Sequence, residues 1–166
     1  DTIYIGGGTP SLLPPTYIEK ILETVYDVFN VADDTEISME ANPGTLDGVK
    51  LAAYRAMGIN RLSLGLQSAD NAEFENSFML ARMEGFDNIN IDLIYALPNQ
   101  TKESLAKTLD YVISMSPEHI SFYGLKIEKQ TPFGKDPEIK KALPDDDTQY
   151  EMYMESCKKL DDHGYI

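Results

Sequence analysis

Apolar residues follow two rhythms along this chain, and the two rhythms take turns. Period-two runs, the mark of a strand, fall at Thr2–Gly6, Glu36–Asn42, Arg61–Gln67, Asn88–Ala96 and His119–Glu128. A helical rhythm follows each of them. Pro14-Pro15 suit a helix start, and Tyr17, Ile18, Ile21, Leu22, Val25, Val28 and Phe29 then recur at helical spacing. Val49, Leu51, Ala52, Tyr54 and Met57 predict a second helix closed by Gly58. Phe74, Phe78, Leu80, Ala81 and Met83 predict a third closed by Gly85, and Leu105, Leu109, Val112, Ile113 and Met115 a fourth stopped by Pro117. Tyr150, Met152, Tyr153, Met154, Cys157 and Leu160 predict a fifth closed by Gly164. Five successive strand–helix units imply an α/β fold with a parallel sheet and right-handed crossovers.

The strands separate two kinds of α/β sheet. A doubly wound sheet buries both faces of its central strands, which then read as continuous apolar runs. Here Leu62, Leu64 and Leu66 oppose Ser63, Gly65 and Gln67. Ile37, Met39 and Ala41 oppose Glu36, Ser38, Glu40 and Asn42, and Ile89, Ile91 and Leu93 oppose Asn88, Asn90 and Asp92. An unpaired carboxylate in a dry core costs on the order of several kcal/mol. The polar face is therefore expected to be wet or to hold a polar ligand. A closed eight-stranded barrel fills its interior with branched apolar side chains, so a partial barrel with an open lumen fits better. A single helical layer on a sheet whose other face meets solvent gives the same alternation.

Charge narrows the partners. The 166 residues carry 28 acidic and 14 basic side chains, a net charge of -14. Such a chain repels phosphate backbones and anionic lipid, which argues against nucleic acid and membrane surfaces as partners. No apolar run reaches membrane-spanning length. The one cysteine, Cys157, permits neither an internal disulfide nor a metal or iron–sulfur site ligated by cysteines of this chain alone. The cytoplasm is the expected compartment. The first residues already lie in a strand-like run and the last follow a finished helix. A fragment of a longer protein is expected, truncated at both ends.

Ligands of parallel α/β folds bind at the carboxyl ends of strands. Those ends carry Gly6-Gly7-Gly8-Thr9-Pro10, Glu40-Ala41-Asn42-Pro43, Gln67-Ser68, Asp92 with Tyr95, and Lys126 with Glu128. A triple glycine leaves the backbone bare for close approach, and serves equally as a plain turn. The segment is neither a P-loop nor a dinucleotide fingerprint. Asp92, flanked by Ile91 and Leu93, is an acid in need of a partner. His119 and His163 read as structural and exposed, and Cys157 as part of a helix stripe. No Gly-x-Ser-x-Gly nucleophile elbow occurs.

Taken in order, Tyr4-Ile5-Gly6-Gly7-Gly8-Thr9-Pro10-Ser11, Met39-Glu40-Ala41-Asn42-Pro43-Gly44-Thr45, Asn60 to Ser68, Asn90 to Pro98, and Ser121 to Glu128 with Thr131-Pro132-Phe133 resemble one family along nearly the whole chain. It is the radical S-adenosylmethionine (SAM) family that contains oxygen-independent coproporphyrinogen III oxidase and the haem chaperone HemW. The resemblance implies a partial (β/α)6 TIM-like barrel, with residues 1–166 a fragment of its radical SAM core. It implies SAM contacts at Gly7, Gly8, Thr9, Glu40, Gln67 and Asp92, and a further one at Lys126. The Cys-x-x-x-Cys-x-x-Cys motif that ligates the family's [4Fe–4S] cluster is absent, so the cluster ligands are expected outside this chain and the chain alone is expected to be inactive. The stretch Ala69–Glu73 is shorter than the family pattern and lacks its Gly-Arg-x-His segment.

In the family, a reduced cluster passes one electron to the SAM sulfonium and releases a 5′-deoxyadenosyl radical. In the oxidase branch that radical takes a hydrogen from a propionate, and decarboxylation leaves a vinyl group. Glu-Ala-Asn-Pro at 40–43 and the region Ser121–Phe133 are closer to the chaperone branch, which implies haem or a porphyrin as partner. Coproporphyrinogen III oxidation is the alternative within the family. From another class, a Schiff-base lyase would use Lys126, with Glu40 or Asp92 as acid–base partner.

Overall fold

A computed structural model of the chain describes residues 2–66 and 72–166. Its parallel strands are β1 (Thr2–Ile5), β2 (Glu36–Ala41), β3 (Arg61–Leu66), β4 (Ile89–Tyr95) and β5 (His119–Gly124). They lie in one sheet in the order β1-β2-β3-β4-β5, which does not close on itself. All five agree with the alternating runs, and the α/β fold is as the patterning predicts. The described residues fall into two compact units, 2–66 with 72–92, and 93–166.

In the first unit, helices α1 (Pro15–Val28), α2 (Gly48–Ala56) and α3 (Ala72–Met83) follow β1, β2 and β3. Pro at its first turn starts α1, and the Asp47 carboxylate caps α2 by accepting from Lys50 N–H at 2.8 Å. β1 pairs with β2, and β2 with β3, both in parallel. Ile37, Met39, Ala41, Leu62, Leu64 and Leu66 are buried, as are Ile18, Leu22, Leu51, Tyr54, Phe74 and Phe78 of the helices. The apolar row of each strand thus forms the helix-facing core. Each buried leucine side chain contributes about 1.5–3 kcal/mol over the exposed state.

In the second unit, α4 (Lys102–Ser114) carries a capping box between Thr101 and Ser104, and α7 (Asp146–Asp161) is capped by Asp145. Leu105, Leu109, Val112, Met152 and Leu160 are buried. Lys102 bridges α4 to Glu151 and Glu155 at 2.9 and 2.6 Å, and Lys159 reaches Asp110 at 2.6 Å. Phe122 of β5 stacks on Tyr95 at a centroid distance of 4.7 Å, with Tyr153 of α7 6.3 Å from Phe122.

Two features depart from the sequence reading. Short helices α5 (Pro132–Lys135) and α6 (Pro137–Ala142) were not legible as apolar stripes, being only one or two turns long. Their signal is local: Thr131 and Asp136 each cap a helix that opens on proline. The strand predicted to reach Glu128 stops at Gly124. Leu125 N–H still bonds Tyr95 at 2.9 Å, and the chain then leaves the sheet for a turn closed by Thr131 N–H on Glu128.

Candidate functional site

The mouth of the first unit is built by the loops after β1 and β2. Gly7 and Gly8 take φ of +87° and +66°, a conformation that side-chain-bearing residues rarely adopt. Nothing lies within 4 Å of where a Cβ would stand on either, so the backbone is open on the side where a side chain would project. Gly7 N–H donates to Glu40 Oε2 at 3.0 Å, and the Tyr4 hydroxyl donates to Glu40 Oε1 at 2.7 Å. Asn42 Nδ2 donates to the Thr9 hydroxyl at 3.1 Å, and Asn42 N–H to Ser11 Oγ at 3.2 Å. The Lys50 ammonium ties the two loops together by donating to the carbonyls of Ser11 and Thr45 at 2.8 and 2.9 Å. Gly7 is thus bonded to Glu40, and Thr9 to Asn42 two residues farther along the same strand end.

Asp92 joins the same face through β3. Glu40 and Ser63 are register partners across β2 and β3, so their side chains share one face. Ser63 Oγ donates to Asp92 Oδ2 at 2.6 Å, and Asn90 Nδ2 donates to Asp92 Oδ1 at 2.9 Å and to Ser63 Oγ at 2.6 Å. Farther down the face, Arg61 lies 3.7 Å from Glu36 and donates to Ser38 Oγ at 3.3 Å. The charges of Asp92 and Arg61 both reach the Tyr4 phenol.

On the face expected to be wet or to hold a polar ligand, the polar groups of this stretch bond one another. Ser38, Ser63 and Asn90 are only 1, 4 and 2 % exposed. The carboxylates are half-buried, and neutral donors of the chain itself satisfy them. Sequence reasoning missed Tyr4, Ser63 and Asn90. Their common signal was the alternation, which already put them on the carboxylates' side of the sheet.

The remaining candidates divide. Gln67 lies outside the described residues, as do residues 68–71. Lys126 belongs to the second unit, where its side chain is 87 % exposed and pairs with Glu128 at 3.1 Å. An imine-forming lysine needs an apolar pocket, and Lys126 stands in water instead. Clefts of about 460 Å³ between α1 and α2, and about 650 Å³ beside Ile3 and Phe29, contain no member of the hydrogen-bonded set.

The sequence profile of the Radical SAM superfamily matches residues 1–112. The chain belongs to this superfamily. The heme chaperone HemW of Haemophilus influenzae is 36 % identical over 176 aligned residues, covering 99 % of this chain and 45 % of that protein. HemW of Synechocystis is 37 % identical over 177, covering 99 % of this chain and 43 % of that protein. The chain therefore spans less than half the length of the curated relatives it matches. The solved structure of coproporphyrinogen III oxidase (HemN) from Escherichia coli, a radical SAM enzyme, superposes with a TM-score of 0.87 at 32 % identity, covering 99 % of this chain and 41 % of that one.

Superfamily membership implies SAM and a [4Fe–4S] cluster, and the residues present fit the two differently. SAM carries a cationic sulfonium, an ammonium and ribose hydroxyls. Open space over the Gly7 and Gly8 backbone, beside two carboxylates with lone pairs to spare, suits such a ligand. The cluster does not fit. Among the described residues no three potential ligands converge, and Cys157 is the chain's one cysteine.

Proposed function

We propose that this chain supplies the SAM-binding strands of a HemW-type haem chaperone acting in the cytoplasm. One observation carries the reading. Glu40 and Asp92 lie on one face beside open glycine backbone, each held by a donor on both of its carboxylate oxygens. Such carboxylates are fixed in direction and still able to accept, which is what a cationic nucleoside requires. Similarity to HemW over 99 % of the chain supports haem or a porphyrin as the second partner.

Within this reading Gly7, Gly8 and Thr9 offer peptide and hydroxyl groups to SAM. Glu40 and Asp92 accept its donors. The cluster, with no ligand set among the described residues, would supply one-electron reduction. The described residues hold and orient SAM and include no group of three potential ligands for the cluster.

Coproporphyrinogen III oxidation is the second reading, favoured by the close superposition on HemN. One experiment separates the two. The natural full-length protein is reconstituted with iron and sulfide, then assayed for SAM binding, haem binding by absorbance titration, and conversion of coproporphyrinogen III. The chaperone reading expects SAM and haem binding without conversion. Turnover to vinyl products would select the oxidase, and no SAM binding would remove both.

A further inference from the structure

Tyr4 is not among the residues that the family motifs assign to SAM, yet it is bound to one of them. Its hydroxyl donates to Glu40 Oε1 at 2.7 Å, while Gly7 N–H takes Oε2 at 3.0 Å. The terminal torsion of a glutamate is broad, so one donor leaves its carboxylate plane free to turn. Donors on both oxygens fix the plane. Gly6, between them, shows how tightly the pair is set: a Cβ there would stand 2.6 Å from Tyr4 Cε1 and 3.0 Å from the Glu40 carboxyl carbon. The two side chains cross over a glycine because no other residue leaves them room.

The Tyr4 residue is 58 % exposed, so packing of its ring adds little to the core and its hydroxyl is the part with a partner. Loss of water around that oxygen, the bond to Glu40 and the charges of Glu40 and Asp92 push the phenol up to about 12. It therefore remains a protonated donor across the physiological range.

We propose that Tyr4 is a positioning residue of the SAM site: its phenol locks the Glu40 carboxylate in one orientation, so that the remaining lone pairs face the mouth. The proposal rests on the reading of Glu40 as a SAM ligand. Phenylalanine at position 4 would keep the ring and lose the lock.

The test measures SAM dissociation constants by equilibrium dialysis of the natural full-length protein, with thermal midpoints alongside. The set is wild type, Tyr4→Phe, Glu40→Ala, the double variant and Gly6→Ala. Tyr4→Phe is expected to weaken SAM binding about fivefold with an unchanged midpoint, a charged hydrogen bond discounted for exposure. In the Glu40→Ala background the same change is expected to do nothing, because a lock has no effect without its carboxylate. Gly6→Ala, which drives the ring and carboxylate apart, is expected to weaken binding at least as much. A purely structural role would lower the midpoint and act equally in both backgrounds. Wild-type affinity in Tyr4→Phe, or equal effects with and without Glu40, overturns the positioning role and leaves the SAM reading intact. Wild-type affinity in Glu40→Ala overturns the SAM reading itself.

Discussion

Glu40 and Lys126 both stand at or just beyond the carboxyl end of a parallel strand, one in each compact unit, and the structure treats them differently. Glu40 follows the pleat of β2 onto the polar face, where a phenol and a peptide N–H hold its two oxygens. Lys126 comes two residues after β5 has ended, on coil, with one solvated partner in Glu128. A charge becomes a binding group when the backbone beneath it is regular and donors are already waiting in register. Without both, it is a surface charge whose ion pair contributes about 0–1 kcal/mol.

Several measurements sharpen or break that contrast. The largest effect is expected at the anchored carboxylates: Glu40→Ala and Asp92→Ala should each weaken SAM binding about 10- to 100-fold, the worth of a charged hydrogen bond. Calorimetric titration of the natural protein checks this, and near-wild-type affinity in both would erase the distinction. Next comes Ser63→Ala, which removes a donor to Asp92 and leaves Asn90 with one acceptor fewer. It should cost about 1–3 kcal/mol in urea unfolding and loosen SAM binding, as buried partners left unpaired do.

A smaller effect follows from the Tyr4 phenol, pushed up to about 12 chiefly by its lost hydration and the Glu40 bond. The folded protein keeps that proton after unfolded tyrosine has released its own near pH 10. Below about pH 10 both states keep the proton and stability does not vary with this group; stability falls as pH rises from there through the folded value. Tyr4→Phe should therefore flatten the alkaline fall in stability between about pH 10 and 12, measured by denaturant midpoints. A slope equal to wild type would show that the phenol is not tied. The smallest effect belongs to Lys126→Ala, expected to change SAM affinity less than about twofold, as loss of an exposed charge does. A large loss there would place Lys126 with Glu40 and bring the two strand ends into one class.

How much of this was legible depends on what each residue's neighbours do. Strand and helix positions followed from Leu62, Leu64 and Leu66 against Ser63 and Gly65, because period two and one buried face leave no other register. Glu40 and Asp92 were legible as strand-end acids. Of the partners that satisfy them, Tyr4 and Ser63 were not, since they reach across strands and depend on pairing that one run cannot specify, while Asn90 sits two residues before Asp92 on the same strand and face. The overlong fifth strand has the opposite cause: Leu125 and Ile127 continue the alternation, but a turn at Glu128 and Thr131 takes the backbone away from the sheet. Helices α5 and α6 are too short for a stripe, and only their proline-led caps announce them.

The central claim is that SAM sits against the doubly held Glu40 carboxylate and the open backbone of Gly7 and Gly8. A crystal structure of the natural full-length protein with SAM tests it most directly. We expect SAM donor groups within hydrogen-bond reach of Glu40, with Tyr4 and Gly7 still on its two oxygens. Ordered SAM elsewhere, with Glu40 meeting only Tyr4, Gly7 and solvent, would contradict the account.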